Sequence, residues 1–266
     1  MAIRPTEPQT IGGVLDTSFQ LYRASLGAVW PLCLLLAFCS VIPSIYMVVK
    51  GLGLQNPMLA LEVMSDPLYW IVYVLSIALT LWAVAAIYAK QGAIGSGESL
   101  GLGAALQSTA RFILPMVLMS ICYGLAVMVG LVLLIIPGLI LIVSLALGTN
   151  LIVFEGKGPI AALSGSHRLV WGNWWRTTAI VTVGLFVLIV IYMAAGLVVG
   201  IVMPFLSIGA ENAALVGLIG GAIIGLLINL LVTPFYTALL IAVYWDLKLR
   251  KEGSDLAARV GALNPA

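Results

Sequence analysis

The sequence predicts an all-α integral membrane protein with six transmembrane helices. Hydrophobic residues make up 62% of the 266 residues, and charged residues make up only 8%. The interior of a soluble domain of this length cannot bury so large a share of apolar side chains. Five apolar runs are each long enough to cross a bilayer, which takes about 20 residues in a helix. These runs occupy residues 26–50, 68–90, 112–155, 175–203 and 213–247.

The third and fifth runs decide the number of spans. The third run has room for two spans of about 20 residues, and Pro137 with Gly138 predicts a tight turn at 136–138 between them. The fifth run is too short for two full spans, so we interpret it as one long helix with a hinge at Pro234. Whether it forms one kinked helix or two shorter ones is left open by the sequence.

The positions of the basic residues predict the orientation. If both termini are cytoplasmic, eleven of the twelve lysines and arginines lie inside and only Lys50 lies outside. This distribution follows the positive-inside rule. The predicted external segments are then 51–67, 136–138 and 204–212, and none of them is long enough to fold as a domain. The first 25 residues contain no uninterrupted apolar core, so we expect no cleaved signal peptide.

Three similar segments precede the first, third and fifth spans. When their central leucines are superposed without gaps, the residues one before and three after also match in type. This spacing predicts a short amphipathic helix in each segment, with its polar stripe toward the headgroups. The matched sets are Val14, Ala105 and Ala162; Leu15, Leu106 and Leu163; and Ser18, Thr109 and Ser166.

The ends of the second, fourth and sixth spans match as well. Tyr88, Glu155 and Asp246 each lie two residues before a lysine. The pattern predicts three copies of one unit, an amphipathic surface helix followed by a hairpin of two spans. The single membrane domain, 1–266, would contain units at about 9–91, 99–157 and 158–252, followed by a flexible cytoplasmic tail at 253–266.

Basic and aromatic residues beside these segments are expected at the lipid interface. His167 precedes Arg168 and follows two serines, but no acid is spaced to orient a Ser-His pair, so we interpret it as a headgroup-facing residue. The expected interfacial residues are Arg23, Arg111, Arg168, His167, Trp171, Trp174 and Trp175.

Polar residues near or inside the spans are the candidate functional residues. The acids allow two interpretations: pairs with Arg168, Lys248 or Arg250, or a central polar cavity that also includes the amide and hydroxyl side chains. The ion-pair interpretation is preferred. The candidates are Glu155, Asp246, Asn150, Asn229 and Thr233.

Glycines spaced by four residues predict close helix packing. This spacing lets two helix backbones approach each other, either within the chain or across a dimer seam. We favour packing between the fifth and sixth spans. The glycines are Gly196 and Gly200 in one group and Gly217, Gly221 and Gly225 in the other.

One long stretch resembles a known bacterial family. It reads IPGLILIVSLALGTNLIVFEGKGPIAALSGSHRLVWGNWWR, and the chain ends with TPFYTALLIAVYWDLKLRKEGSDL. Both are similar to the membrane domain of glycerophosphoryl diester phosphodiesterases and to the YciC-like inner-membrane proteins. The matching positions in the first stretch are Pro137, Gly138, Glu155, Gly158, Pro159, Ala162, Leu163, Ser166 and Gly172. The resemblance implies a helical protein of the bacterial inner membrane and does not imply catalysis.

Two functions agree with these patterns. The preferred one is a non-enzymatic scaffold or lipid-handling module that engages membrane lipid, a membrane-protein partner or a second copy through its surface helices. The alternative is a transporter of a small solute or lipid with a central polar cavity. The basic residues occur singly, so we expect no nucleic-acid binding. We also expect no cofactor, metal or catalytic residue, because one histidine and few intramembrane acids form no convergent set.

Overall fold

The computed structural model describes residues 2–50, 63–206 and 213–263, so most of the predicted external segments 51–67 and 204–212 lie outside the described residues. The described part contains helices and no strand. The helices are α1 Ile11–Val49, α2 Pro67–Gly95, α3 Leu102–Thr109, α4 Ile113–Leu133, α5 Ile135–Ser144, α6 Gly148–Glu155, α7 Pro159–Val170, α8 Trp174–Leu206 and α9 Ala213–Leu263. A 3-10 turn, Ala110–Phe112, joins α3 to α4.

Six helical stretches are long and apolar enough to cross a membrane. The predicted fold class is therefore confirmed at the level of an all-α, multi-pass membrane protein. The stretches are Ile11–Met47, Pro67–Gly95, Leu102–Leu133, Ile135–Glu155, Trp174–Val202 and Ile223–Lys251.

The spans pack as three hairpins, α1 with α2, α4 with α5, and α8 with α9. Helix α1 also packs along α9. Residues 2–10 lie across one end of this bundle, where the Ile3 amide donates to the Gly95 carbonyl at 2.8 Å. The Gln9 amide donates to Asp246 there at 2.8 Å. We call this the terminal end, and the opposite end, with Lys50 and Asp66, the distal end.

The turn between α4 and α5 lies at Leu134, so the predicted turn at 136–138 is wrong. Leu134 is extended, with φ −159° and ψ 137°. Pro137 falls in the first turn of α5, where its missing N–H removes no helical hydrogen bond. A Cβ on Gly138 would overlap the Leu131 side chain, so glycine here permits the close approach of the two helices.

The fifth apolar run forms one continuous helix, which answers the question that the sequence left open. Pro234 lies inside α9, and helix is assigned on both sides of it. The Pro234 carbonyl accepts a hydrogen bond from the Gln91 side chain at 2.9 Å. The α9 backbone then continues beyond residue 252 to Leu263, so residues 253–263 are helical.

The three segments that precede the spans differ in structure. The first belongs to α1, and the second runs into α4 through the 3-10 turn. Only the third, α7, is a separate helix, because Trp171 is extended and Gly172 has φ +95°. In the gapless alignment Ala24 and Pro115 occupy the position of Gly172, and neither residue type favours a positive φ. The prediction of a separate surface helix before each span is therefore wrong for the first two segments.

Candidate functional site

A cavity of about 530 Å³ lies between the membrane-spanning parts of the helices, and two residues of its wall, Leu185 and Tyr192, are also exposed on the outside of α8. Six helices contribute to its wall: α2, α4, α5, α6, α8 and α9. Most of the wall is apolar, with side chains such as Met119, Val181, Leu188, Val232 and Leu240. None of the described lining residues carries a charge. The cavity is therefore suited to an uncharged, largely apolar occupant.

Hydroxyl and amide groups are distributed over this apolar wall. Four tyrosines line it, and Tyr123 donates from its hydroxyl to the Ile142 carbonyl at 3.4 Å. Tyrosine combines an apolar ring with a polar tip, so it can contact an apolar chain and still bond a polar atom. The polar lining residues are Tyr88, Ser120, Tyr123, Thr149, Tyr192, Asn229, Thr233, Tyr236 and Thr237.

The five polar candidates from the sequence do not converge on this cavity. Asn229 and Thr233 line it, and the Asn229 amide also donates to the Gly225 carbonyl at 3.1 Å. Asn150 is fully buried elsewhere in the bundle, and both polar atoms of its side chain lack a hydrogen-bond partner among the described residues. Glu155 and Asp246 lie at the terminal end. The residues that the transporter hypothesis places around one polar cavity therefore lie in separate parts of the bundle.

Asn150 follows a break in the fourth span. Helix α5 ends at Ser144 and α6 begins at Gly148, so the backbone between them needs hydrogen-bond partners. Ser166 of α7 supplies them: its hydroxyl donates to the Ser144 carbonyl at 2.7 Å and accepts from the Leu147 amide at 3.1 Å. The fully buried Ser166 side chain thus attaches α7 to the broken span.

Glu155 is saturated by three donors. Its carboxylate lies 2.7 Å from Lys157 Nζ and 2.6 Å from Lys248 Nζ, and it accepts from the Tyr244 hydroxyl at 2.7 Å. The side chain is 18% exposed, so the group lies at the edge of the bundle rather than deep inside it. Arg168, one of the partners considered from the sequence, is exposed at the end of α7.

Asp246 is the most buried acid of the described residues, with 1% of its side chain exposed. It pairs with Arg176 at 3.1 Å and with Arg250 at 3.0 Å. Both guanidinium groups also donate to the Gln9 carbonyl, and the Gln9 side chain accepts from Thr17 at 3.0 Å. This cluster joins the N-terminal segment to the start of α8 and to the turn of α9 that contains Asp246 and Arg250.

Gln9 and Arg176 of this cluster were not among the functional residues predicted from the sequence, and neither was Gln91. Gln91 is fully buried, donates to Ser25 at 3.1 Å and accepts from Thr237 at 2.6 Å. A glutamine inside a span is a usable signal, because an unpaired amide is costly there. Gln9 and Arg176 give no comparable signal, since their partners are far away in the sequence.

The expected interfacial residues lie mostly on the outside of the bundle. Arg23, Arg111 and Arg168 are exposed, as are Trp171 and Trp175. Trp174 is partly buried and donates from its indole to the Ile140 carbonyl at 3.4 Å. The His167 ring lies with its centroid 5.0 Å from that of Trp171. Lys251 donates to the Trp171 carbonyl at 3.1 Å and so fastens the end of α7 to α9.

Among the described residues, Gly196, Gly200, Gly221 and Gly225 show no close packing inside the chain. A Cβ on any of these four would meet no atom of that part of the chain within 4 Å. Gly217 lies in the α9 backbone, in a stretch whose side chains are outside the description. The glycines that do allow close contacts are Gly92 against Phe154, Gly95 against Trp245 and Gly184 against Leu239. Their partners are large side chains on distant helices, so spacing within one helix does not reveal them.

Together these features define a helical, multi-pass membrane protein with an uncharged internal cavity and an ion-paired end. Among the described residues, no group of three or more His, Cys, Asp or Glu side chains is placed to hold a metal ion. The chain belongs to the DUF7847 family, whose model, described as a domain of unknown function, matches residues 63–247. No curated protein and no solved structure matches the chain.

Proposed function

We propose that this protein is a non-enzymatic, lipid-handling module whose internal cavity holds the apolar part of a membrane lipid. The observation that supports this most strongly is the uncharged, mainly apolar wall of the 530 Å³ cavity. Its volume lies in the range of about 300–1,000 Å³ that is typical of small-molecule sites. An acyl chain that enters the cavity loses contacts with bilayer lipid and gains contacts with protein. Its affinity for the cavity therefore depends on the shape of the wall and on the few polar groups in it.

The tyrosine hydroxyls give the cavity a means of selecting its occupant. A lipid carries ester or hydroxyl oxygens at the junction of its chains, and Tyr88 and Tyr236 line the wall between α2 and α9. A hydrogen bond to such an oxygen favours a lipid over a plain hydrocarbon. The expected occupant is therefore an amphiphile with an uncharged polar junction.

We further propose that the protein lies in a bacterial inner membrane with its terminal end in the cytoplasm. The distribution of eleven basic residues against Lys50 supports this orientation. The resemblance to the YciC-like proteins supports the bacterial location. In this orientation the exposed Trp171 and Trp175 lie at the cytoplasmic interface, where tryptophan is enriched.

We also propose that the chain contains three copies of one structural unit. Val14, Ala105 and Ala162 hold equivalent positions in the sequence, and each is fully buried. The hydroxyl residues three positions after the matched leucines are also buried, with at most 1% exposed. The equal burial of these matched residues supports a common origin of the three units, although only α7 is a separate helix. The buried faces pack on protein, so lipid engagement is assigned to the cavity rather than to these faces.

Transport of a small solute is the second candidate. Asn229 and Thr233 both line the cavity, as that hypothesis requires. The carboxylates of Glu155 and Asp246 are held by cationic partners away from the cavity, and none of the described lining residues is an acid that could bind or release a cation. Binding of an uncharged lipid therefore has more support than ion-coupled transport.

Native mass spectrometry tests the proposal. The protein is released gently from its own membrane, and the mass of the retained ligand is measured. We expect one lipid, or one narrow lipid class, at about one copy per chain. Bare protein, or a broad mixture that mirrors the bulk membrane, would contradict lipid binding in the cavity.

A pair of adjacent substitutions provides the control. Ser120 lines the cavity, whereas the next residue, Ile121, is exposed on the outside of α4. Ser120→Phe places a ring in the cavity and should remove the retained lipid. Ile121→Phe adds a similar ring to the outer face and should leave retention unchanged. Equal retention by the two variants would place the lipid outside the cavity.

A further inference from the structure

A second cavity, of about 510 Å³, lies at the terminal end of the bundle. We call it the terminal pocket. Unlike the internal cavity, it is lined by charged side chains as well as hydroxyl groups. These polar lining residues are Arg4, Ser96, Glu98, Ser99, Glu155 and Lys248.

Arg4 and Glu98 carry opposite charges in this pocket, and neither side chain has an ion-pair partner among the described residues. Lys248 and Glu155 form an ion pair at 2.6 Å, so their charges offset each other. Among the described residues, neither the Arg4 nor the Glu98 side chain takes part in an ion pair, although both are exposed and line the same pocket. The pocket is thus neutral in total, with one cation and one anion available to a ligand.

The backbone fixes both residues to the last turns of α2. The Arg4 amide donates to the Gly95 carbonyl at 2.9 Å, and the Glu98 amide donates to the Ala93 carbonyl at 2.8 Å. The connection that follows is held by Lys90, whose ammonium donates to the Leu100 carbonyl at 2.6 Å. Positions held in this way lose less entropy on binding than positions in a free loop.

The terminal pocket lies next to the internal cavity along the same helices. On α2 the lining of the internal cavity reaches Tyr88 and that of the terminal pocket begins at Ala89, and on α9 the lining changes from Leu240 to Tyr244. The step on α9 is four residues, or about 6 Å along a helix. The Phe154 and Tyr244 rings line the terminal pocket, with their centroids 5.5 Å apart. They lie on α6 and α9, and both of these helices also contribute to the wall of the internal cavity. An amphiphile with its chains in the cavity would therefore have its polar group near this pocket.

We infer that the terminal pocket binds a zwitterion made of a phosphate and a primary ammonium, the headgroup chemistry of phosphatidylethanolamine. Arg4 offers a guanidinium to the phosphate, and Glu98 offers a carboxylate to the ammonium N–H groups. The Ser96 and Ser99 hydroxyls can bond either group. An anionic lipid would leave Glu98 opposed to its charge. A quaternary ammonium has no N–H to donate, and the Phe154 and Tyr244 rings pack on each other rather than forming an open cage.

This inference rests on the proposed lipid-handling function, and the same chemistry also occurs in free phosphoethanolamine. The full-length protein in detergent is mixed with equimolar phosphatidylethanolamine, phosphatidylcholine and phosphatidylglycerol of identical acyl chains. Native mass spectrometry then gives the ratio of the retained lipids. We expect phosphatidylethanolamine to be retained about fivefold over each of the others, the size of effect that one exposed charge pair supplies.

Two variants and two controls assign this preference to the pocket. Glu98→Gln should abolish the preference over phosphatidylglycerol. Arg4→Gln should weaken the retention of all three lipids, because each of them carries a phosphate. Glu7→Gln and Lys50→Gln change exposed residues outside the pocket and should alter nothing. Equal retention of the three lipids by the wild type, a preference unchanged in Glu98→Gln, or retention unchanged in Arg4→Gln would each overturn the inference.

Calorimetry with free phosphoethanolamine separates the two sources of the headgroup. If no lipid is retained, the proposed lipid function fails. If free phosphoethanolamine nevertheless binds the wild type and does not bind Glu98→Gln, the pocket is still supported as a zwitterion site. If lipid is retained with headgroup preference and the free solute does not compete, the ligand is the lipid. Absence of both forms of binding would overturn the pocket and the lipid function together.

Discussion

The terminal and distal parts of the bundle are packed in opposite ways. On α9 every residue from Thr237 to Leu247 is buried, whereas none of the described side chains from Ile223 to Leu231 is buried. The terminal part also contains the saturated acids and the tight glycine contacts at Gly92 and Gly95. Protein contacts thus hold one end of the helices, and the other end depends on its surroundings in the membrane.

This difference shows that a residue type has no fixed role in a membrane protein. Gly184 faces the Leu239 side chain with no room for a Cβ, whereas Gly200 on the same helix faces open space. Both occur in similar apolar sequence. The partner helix decides which glycine is a packing residue, and we expect substitutions to have large effects at the terminal end and small effects at the distal end.

Asp246→Asn should have the largest effect. It removes the acid that pairs with Arg176 and Arg250 and leaves two partly buried guanidinium groups without a counter-charge. Breaking a buried pair costs about 3–5 kcal/mol, so we expect a loss of about 3 kcal/mol in the free energy of unfolding. Denaturant titration in detergent measures it. Glu155→Gln, at a more exposed acid, is the matched control and should cost less; an equal or larger loss there would contradict the ranking.

Gly184→Ala should have the next largest effect. The added Cβ would overlap the Leu239 side chain, which is fully buried and has little room to move. Overpacking of this kind costs about 1–3 kcal/mol. Gly200→Ala adds the same methyl group in open space and should be neutral or stabilise the helix by about 0.5–1 kcal/mol. Similar melting temperatures for the two variants would show that the α8–α9 contact is not close.

Asp66→Asn at the distal end should have the smallest effect. The Tyr46 hydroxyl and the Leu68 amide donate to Asp66, and the resulting hydrogen bonds hold the pKa of this carboxyl below its ordinary value of 3.8. A lowered pKa means that the contribution to stability is present above the ordinary pKa and is lost as the pH falls through the lowered value. The difference in melting temperature between wild type and variant should therefore be equal at pH 8 and pH 5 and smaller at pH 3. A difference that grows on acidification would contradict the assignment.

The sequence predicted the spans better than their connections. Runs of apolar residues are a property of the chain itself, so the six spans follow from composition and length. The turn between α4 and α5 was misplaced by three residues because Pro137 fits the first turn of a helix as well as a turn. The break between α5 and α6 was not predicted, since it depends on Ser166 of another helix.

The candidate site was only partly accessible from the sequence. Arg250 was foreseen as a partner of the acids, because it lies four residues after Asp246 on the same face of the helix. Lys248 was also foreseen, although 93 residues separate it from its partner Glu155. Gln9 and Arg176 were not, because 237 residues separate Gln9 from Asp246. Of the cavity lining, only Asn229 and Thr233 were predicted, because the other lining residues come from six helices whose neighbours in the bundle are not evident from the sequence.

Photo-crosslinking in the membrane decides whether lipid enters the cavity. Cells are supplied with a fatty acid that carries a diazirine in its chain, the protein is purified after irradiation, and modified peptides are mapped by mass spectrometry. Lipid in the cavity predicts labelling at Met119, Tyr123 and Thr149, and Ser120→Phe should remove it while labelling of the exposed Phe186 persists. Labelling confined to outer residues such as Phe186, unchanged by Ser120→Phe, would contradict a lipid-binding cavity.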